Sequence, residues 1–375
     1  MLEKVASQQN SQTDFIEPQR DDERHRKKPL YQTVVFSLCC VLVVSMPFAV
    51  GLGPVSIPYG TVWGIIFANF PISTDWLSVD WTQAEKNIIW EIRLPRVLLG
   101  GIVGAGLATV GVAIQALVRN PLADPYILGV SSGASVGATL VILFGAFGLF
   151  GQYALSMSAF LGALLSVVIV FFMARAGGKI LTVRLLLSGI AVSAIFNAVT
   201  NLIVMSAPQE KGIQNALFWM MGSLTAAKWE YLPIPGIAVC IGISYLFIQS
   251  RALNVLLMGE ETASTLGMNT DFFRKALLVL TAFLTGVIVA VSGAIGFVGL
   301  MIPHIVRLVV GADHRRVLPV SALLGAIFLI WADVVARLLF APEEIPIGII
   351  TSICGGPFFI WLLRRNTYSF GGDER

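Results

Sequence analysis

A chain of 375 residues with 56% apolar residues, only 13% Asp, Glu, Lys or Arg, and mean hydropathy +0.81 holds too little charge for a soluble globular enzyme. The same balance excludes disorder, which needs low hydrophobicity and high charge. A formal net charge of +3 gives no argument for nucleic acid, and the four cysteines, Cys39, Cys40, Cys240 and Cys354, lie in apolar stretches and make no disulfide scaffold. The composition is that of a polytopic membrane protein.

Residues 1–28 are polar, mix acids with bases and lack a signal peptide's apolar core, so they read as a disordered tail. A membrane-crossing helix needs roughly 20 mostly apolar residues. On that measure the sequence predicts ten spans, at 31–52, 97–117, 126–148, 153–174, 185–206, 231–249, 273–292, 295–310, 318–340 and 345–363. Pro54–Phe70, between the first two, reads as interfacial. The eighth span is short, and Pro303 inside it predicts a broken or short helix. Residues 29–366 then form one all-α membrane domain of about ten helices, and 367–375 a second tail. Ten spans put both termini on one side. Nineteen of the 25 Lys and Arg fall on that side and six on the other, so the positive-inside rule places both termini in the cytoplasm.

Small residues mark close helix contacts: Gly129, Gly133 and Gly137 form one row and Gly100 and Gly104 another. The opposite, outer face holds the acids Asp75, Asp80, Glu85, Glu91, Glu210, Glu230, Glu343 and Glu344, with Lys86, Arg93, Arg96 and Arg337 among them. Asp333 and Arg337 stand one helical turn apart and predict a local ion pair. The turn Asn120-Pro121…Asp124-Pro125 on the inner side is explained by its turn residues alone.

Several chemistries lack their residues. No G-x-x-x-x-G-K-[ST] occurs; the nearest string, Gly177-Gly178-Lys179-Ile180, has neither the spacing nor the hydroxyl, so ATP is not expected to bind this chain through a P-loop. H-E-x-x-H and G-x-S-x-G are missing too. His25, His304 and His314 are scattered and read as structural, so no catalytic residue, metal site or bound cofactor is expected. An ion-coupled carrier places Asp, Glu or His at membrane depth, and the predicted span centres have almost none. The sequence supplies a passage without an energy source of its own, so something else must drive it.

Three strings carry a resemblance. The first is I-R-L-P-R at Ile92–Arg96, continuing to Q-A-L-V-R-N-P-L-A-D-P at Gln115–Pro125 and L-G-V-S-S-G-A at Leu128–Ala134. The second is G-E-E-T-A-S-T-L-G at Gly259–Gly267. The third is G-A-I-G-F-V-G-L-M-I-P-H-I-V-R-L at Gly293–Leu308, followed by D-H-R-R-V-L-P at Asp313–Pro319, A-D-V-V-A-R at Ala332–Arg337 and E-I-P-I-G at Glu344–Gly348. Together they resemble the FecCD-type permeases, the membrane subunits of type II ABC importers for iron-siderophore complexes, haem and vitamin B12, over about residues 30–365.

The resemblance implies a ten-helix subunit with inverted-topology halves in the cell membrane. It implies a dimer with a second copy or a close paralogue, two ABC ATPase subunits beneath that consume the ATP, and an extracytoplasmic substrate-binding protein above. It implies that Arg93, Arg96 and Arg337 meet acids of that binding protein, a contact suited to arginine; lipid-headgroup anchoring or an Asp333–Arg337 pair is the alternative. It implies that Gly259, Glu260, Glu261, Ala263, Leu266 and Gly267 form the loop seated in the ATPase; the spacing itself puts Ala263 and Leu266 on one face and the glutamates at a helix N-terminus, and a solvated loop is the alternative. It implies a pathway along the fifth and tenth spans, where Asn197 and Asn201 share a face near Thr200, and where Thr351 and Ser352 lie on the tenth; interhelical hydrogen bonding would explain them equally. The implied cargo is a ferric siderophore, with haem or cobalamin next. An ion-coupled secondary carrier or an intramembrane enzyme fits the residues less well.

Overall fold

The computed structural model describes residues 31–69, 80–176 and 179–365. Both predicted tails, Asp75, His25 and the pair Gly177-Gly178 lie outside the described residues. In chain order the helices are α1 (Tyr31–Gly51), α2 (Tyr59–Ala68), α3 (Gln83–Val118), α4 (Val130–Phe144), α5 (Ala154–Ala174), α6 (Thr182–Met205), α7 (Glu210–Met220), α8 (Pro233–Ile248), α9 (Ser250–Leu257), α10 (Glu260–Thr265), α11 (Thr270–Ser292), α12 (Val298–Val310), α13 (His314–Leu338) and α14 (Ile347–Arg365). A pair of two-residue antiparallel strands, Arg175–Ala176 and Lys179–Ile180, joins α5 to α6. Eight helices (α1, α3, α5, α6, α8, α11, α13 and α14) are long and apolar enough to cross a membrane, and α2, α4 and α12 are shorter apolar helices, so the predicted helical membrane fold is present, with α4 and α12 in the places of the other two predicted spans.

The main difference is at α3. The helix begins at Gln83, fourteen residues before the predicted span, so Arg93 and Arg96 lie within it and not at its mouth. Thr82 and Glu85 form a capping box at its start. The turns Asn87–Arg93 widen into a π register. Pro95 has no N–H to offer the carbonyl of Trp90, five residues back, and the Trp229 indole Nε1 donates to that carbonyl at 2.8 Å. Charge did not end this helix because both arginines find partners inside the protein.

α3 is also the hub. Its apolar stretch is 83% buried, against 22% for α6 and 28% for α14. Helix backbones reach it at glycine: a Cβ on Gly104 would overlap the Gly325 carbonyl of α13, and one on Gly111 the Gly299 carbonyl of α12. Of the predicted small-residue row, Gly133 and Gly137 face α5 in the same way, at Gly162 and Ser158. Gly129 instead stands before α4, left-handed at φ 73°, where a side chain would be strained. This break makes α4 shorter than its predicted span.

α12 is short, as expected, but Pro303 does not break it: the helix runs from Val298 to Val310. Proline leaves the Gly299 carbonyl without its N–H donor. The Gln115 side chain of α3 supplies one, Nε2 donating at 3.3 Å, and Gln115 Oε1 in turn accepts from Arg307 Nη1. Near this contact Tyr126 locks the segment before α4 to the one before α12. Its hydroxyl donates to the Ile295 carbonyl at 3.0 Å and accepts the Ile295 N–H at 2.9 Å.

Candidate functional site

At one end of the bundle the sequence placed three arginines, and the structure brings all three together, buried at 5%, 6% and 3% exposure for Arg93, Arg96 and Arg337. Arg93 Nη1 donates to the carbonyls of Val50 and Gly51 at 3.2 and 3.0 Å, and Nη2 to Val55 at 2.6 Å. Arg337 donates to the carbonyls of Leu52 and Ala49 at 3.0 and 3.1 Å. These are the last, otherwise unpaired carbonyls of α1 and the turn beyond it, where helix-end charge favours cations. Arg337 also pairs with Asp333, Nε to Oδ2 at 3.0 Å, as its i,i+4 spacing predicted.

Arg96 connects two acids. Its Nε reaches both Asp333 oxygens at 2.9 and 3.1 Å, and its Nη1 reaches both Glu344 oxygens at 3.0 and 2.8 Å. Asp333 is 2% exposed, whereas the Glu344 side chain is 28% exposed and forms the outer edge of the network. A charge network this well bonded offsets the cost of burial only while every partner stays in place. Sequence reasoning placed Glu344 and Arg96 on the same outer face but did not pair them.

At the other end, Gly259 (φ 108°) and Gly267 (φ 82°) bracket α10 as expected, in conformations that favour glycine. Glu260 does more than meet a helix dipole. It pairs with Arg274 in the first turns of α11, and Arg119, the C-cap of α3, stands 3.8 Å away. Ala263 and Leu266 do not share a face. Ala263 is fully buried against the bundle, while Leu266, at the cap where the helix has ended, is 65% exposed. Glu261 is exposed beside it.

The neighbouring helix α9, unforeseen in the sequence, is tied down by Asn254. That amide donates to Asp313 Oδ1 at 2.8 Å and accepts from the His314 N–H and Nδ1 at 3.0 and 2.7 Å. Burial opposes ionisation of Asp313, but the Asn254 and Arg315 hydrogen bonds and the charges of Arg315 and Arg316 hold its carboxyl below the usual range. His314 is fully buried on this network, a structural histidine.

The five polar residues suggested for the pathway divide. Asn197 and Asn201 are exposed on α6. Thr200 is 3% exposed, packed inward, and its hydroxyl lacks a hydrogen-bond partner among the described residues. Thr351 is buried with its hydroxyl on the Gly348 carbonyl at 3.1 Å. Ser352 lines a depression of about 480 Å³ with Met221, Ala294, Gly296 and Gly348.

An all-helical bundle of apolar spans, with buried charge at one end and a glycine-bracketed helix at the other, defines a multi-pass membrane protein. Residues 41–365 match the model of the FecCD transport family, and the chain belongs to that family. It is 46% identical over 282 residues to the cobalamin import system permease protein of Halobacterium salinarum, covering 75% of this chain and 74% of that one. It is 43% identical over 291 residues to the hemin transport system permease protein of Yersinia pestis, covering 76% and 86%. A solved structure of an inward-facing metal-chelate type ABC transporter superposes with TM-score 0.76 at 33% identity, covering 89% of this chain and all of that one. The chain is therefore a permease component of a type II ABC importer in the cell membrane. That class works with ATPase and substrate-binding partners.

Proposed function

We propose that this subunit moves a whole metal chelate inward by alternating access, with a ferric siderophore as its cargo. Its termini lie in the cytoplasm, as the asymmetry of Lys and Arg requires. Two such subunits, identical or closely related, enclose the route. Two ATPase subunits, which bind the ATP, seat α9, α10 and the exposed Leu266. An extracytoplasmic binding protein docks over Arg93, Arg96, Arg337 and Glu344. Asn197, Asn201 and Ser352 face the route. Thr200 and Thr351 support it from behind.

The observation that carries the transport reading is the match across residues 41–365 to a single transport family. Metal chelates are supported by what the relatives' names specify, cobalamin and hemin, and by the metal-chelate transporter of similar structure. A second reading, cobalamin as cargo, is favoured by the 46% identical relative. Uptake into proteoliposomes holding permease, ATPase and binding protein decides among them. ATP-dependent accumulation of a ferric siderophore, and not of hemin or cobalamin, supports the first reading; accumulation of cobalamin alone replaces it with the second. Uptake that persists without the ATPase overturns both.

A further inference from the structure

The arginine end holds two cavities that the transport reading leaves unused. One, of about 340 Å³, is walled by α4, α5, α7 and α11 and carries Gln152, Asn215, Ser223 and Thr225 among its lining residues. The other, of about 410 Å³, lies between α5, α8 and α11 and is lined chiefly by apolar and aromatic groups, among them Met157, Phe160, Phe283 and Val287. They share four wall residues, Ser156, Tyr231, Ala290 and Val291, so the two adjoin.

We propose that the pair of chambers holds one membrane lipid, with an acyl chain in the more apolar chamber and the glycerol–ester region in the one that carries Gln152, Asn215, Ser223 and Thr225. Three observations support it. First, the apolar chamber opens on the lipid side: Met157, Ile234 and Phe283 are 37%, 63% and 46% exposed on helices that cross the membrane. Hydrocarbon is the medium against such a face, and an unfilled slot there forfeits its dispersion contacts. Second, none of the residues lining either chamber bears a charge, so an ion or a charged cargo would lose its water there without a counter-charge. The neutral ester and glycerol oxygens of a lipid suit side-chain amides and hydroxyls. Third, the junction has the character of an interface. The Tyr231 hydroxyl donates to the Gln152 carbonyl at 3.0 Å, and the Tyr153 ring stands edge-on to Tyr231 at 5.6 Å. Tyrosines sit where hydrocarbon gives way to polar surroundings. The combined space falls within the range of small-molecule sites.

The test uses the purified full chain in nanodiscs of phosphatidylcholine doped with a phosphatidylcholine that carries a diazirine on one acyl chain. After irradiation, labelled residues are located by peptide mass spectrometry. The lipid site predicts labelling concentrated on Met157, Phe160, Phe283 and Val287, above that on Leu161 and Leu165, which are exposed on the same helix α5. Ala290→Trp, at the shared wall, should lower slot labelling roughly tenfold, as a loss of one decade in affinity would, and leave Leu165 labelling unchanged. Ser156→Phe, on a different helix, is the second variant should the first fail to fold. Asn215→Leu with Ser223→Ala should weaken slot labelling by roughly threefold if the ester region is bound as described. Equal labelling of Met157 and Leu165, insensitive to blocking variants, would show ordinary boundary lipid and overturn the proposal. Slot labelling indifferent to Asn215 and Ser223 would overturn the two-chamber arrangement.

Discussion

Arg96 and Asp333 lie 237 positions apart in sequence and meet inside the protein, the Arg96 Nε reaching both carboxylate oxygens at 2.9 and 3.1 Å. The contact fastens α3 to α13, and through Arg337 it extends to the C-terminus of α1. Removing the acid leaves two guanidiniums buried around one missing charge. Asp333→Asn should therefore destabilise the chain by about 3–5 kcal/mol, read as a lower midpoint of thermal unfolding in detergent. The double variant Arg96→Met/Asp333→Leu should cost less than the sum of its single changes, because contacting residues are not additive. A midpoint unmoved by Asp333→Asn would show that the network does not hold the three helices together.

Glu344 is the exposed member of the same network, and it occupies the Arg96 edge that a docking acid would need. On the proposed docking reading, Glu344→Gln frees that edge and removes a negative charge from the surface an acidic partner approaches. Affinity for the cognate binding protein should rise by roughly threefold to tenfold, mostly through a faster on-rate that falls with salt. Biolayer interferometry on nanodisc-embedded protein measures both. Weaker binding would mean that Glu344 itself touches the partner.

How much of this was legible in the sequence depends on the range of the interaction. The spans were readable because crossing a membrane takes a long apolar run, and the Asp333–Arg337 pair because both residues share one helix turn. Arg93, Arg96 and Arg337 stood out in the sequence as a group at one face, but not their inward orientation, since Asp333 and Glu344 reach Arg96 from distant parts of the chain. The start of α3 was missed because Arg93 and Arg96 looked like the end of an apolar span. Ala263 and Leu266 were assigned one face by spacing alone, and the helix ends before that spacing applies.

Glu260 joins α10 to two other elements, Arg274 of α11 and Arg119 at the end of α3. On the proposed coupling reading, ATPase motion felt at α10 travels through this carboxylate to the hub helix. Glu260→Gln should leave assembly with the ATPase intact while lowering ATP-driven uptake about tenfold, a loss of coupling worth about 1.4 kcal/mol. Uptake and ATP hydrolysis measured in the same proteoliposomes separate the two effects. Equal losses in both would place Glu260 in the assembly contact instead.

The glycine contacts make a sharper claim than packing in general. A methyl at Gly111 meets the carbonyl of Gly299, which is backbone and cannot swing aside. Gly111→Ala should cost about 1–3 kcal/mol through overpacking, although alanine is the better helix former. Gly60, with open space around its Cβ position, is the control, and Gly60→Ala should leave the unfolding midpoint in place or raise it.

Pro303 and Gln115 form the most specific case. Proline at 303 deprives the Gly299 carbonyl of its helical donor, and Gln115 Nε2 substitutes for it from α3. Gln115→Leu keeps the volume but leaves that carbonyl and the Arg307 guanidinium short of a partner, which should cost about 1–3 kcal/mol. Pro303→Ala restores an N–H within hydrogen-bonding register of Gly299, so placing it in the Gln115→Leu background should recover part of the loss. The remainder measures the Arg307 contact, and Arg307→Met added to the pair should remove it. Unfolding midpoints of the four proteins test this sequence. If Pro303→Ala rescues nothing, the Gln115 amide acts through Arg307 and not through the carbonyl that proline exposes.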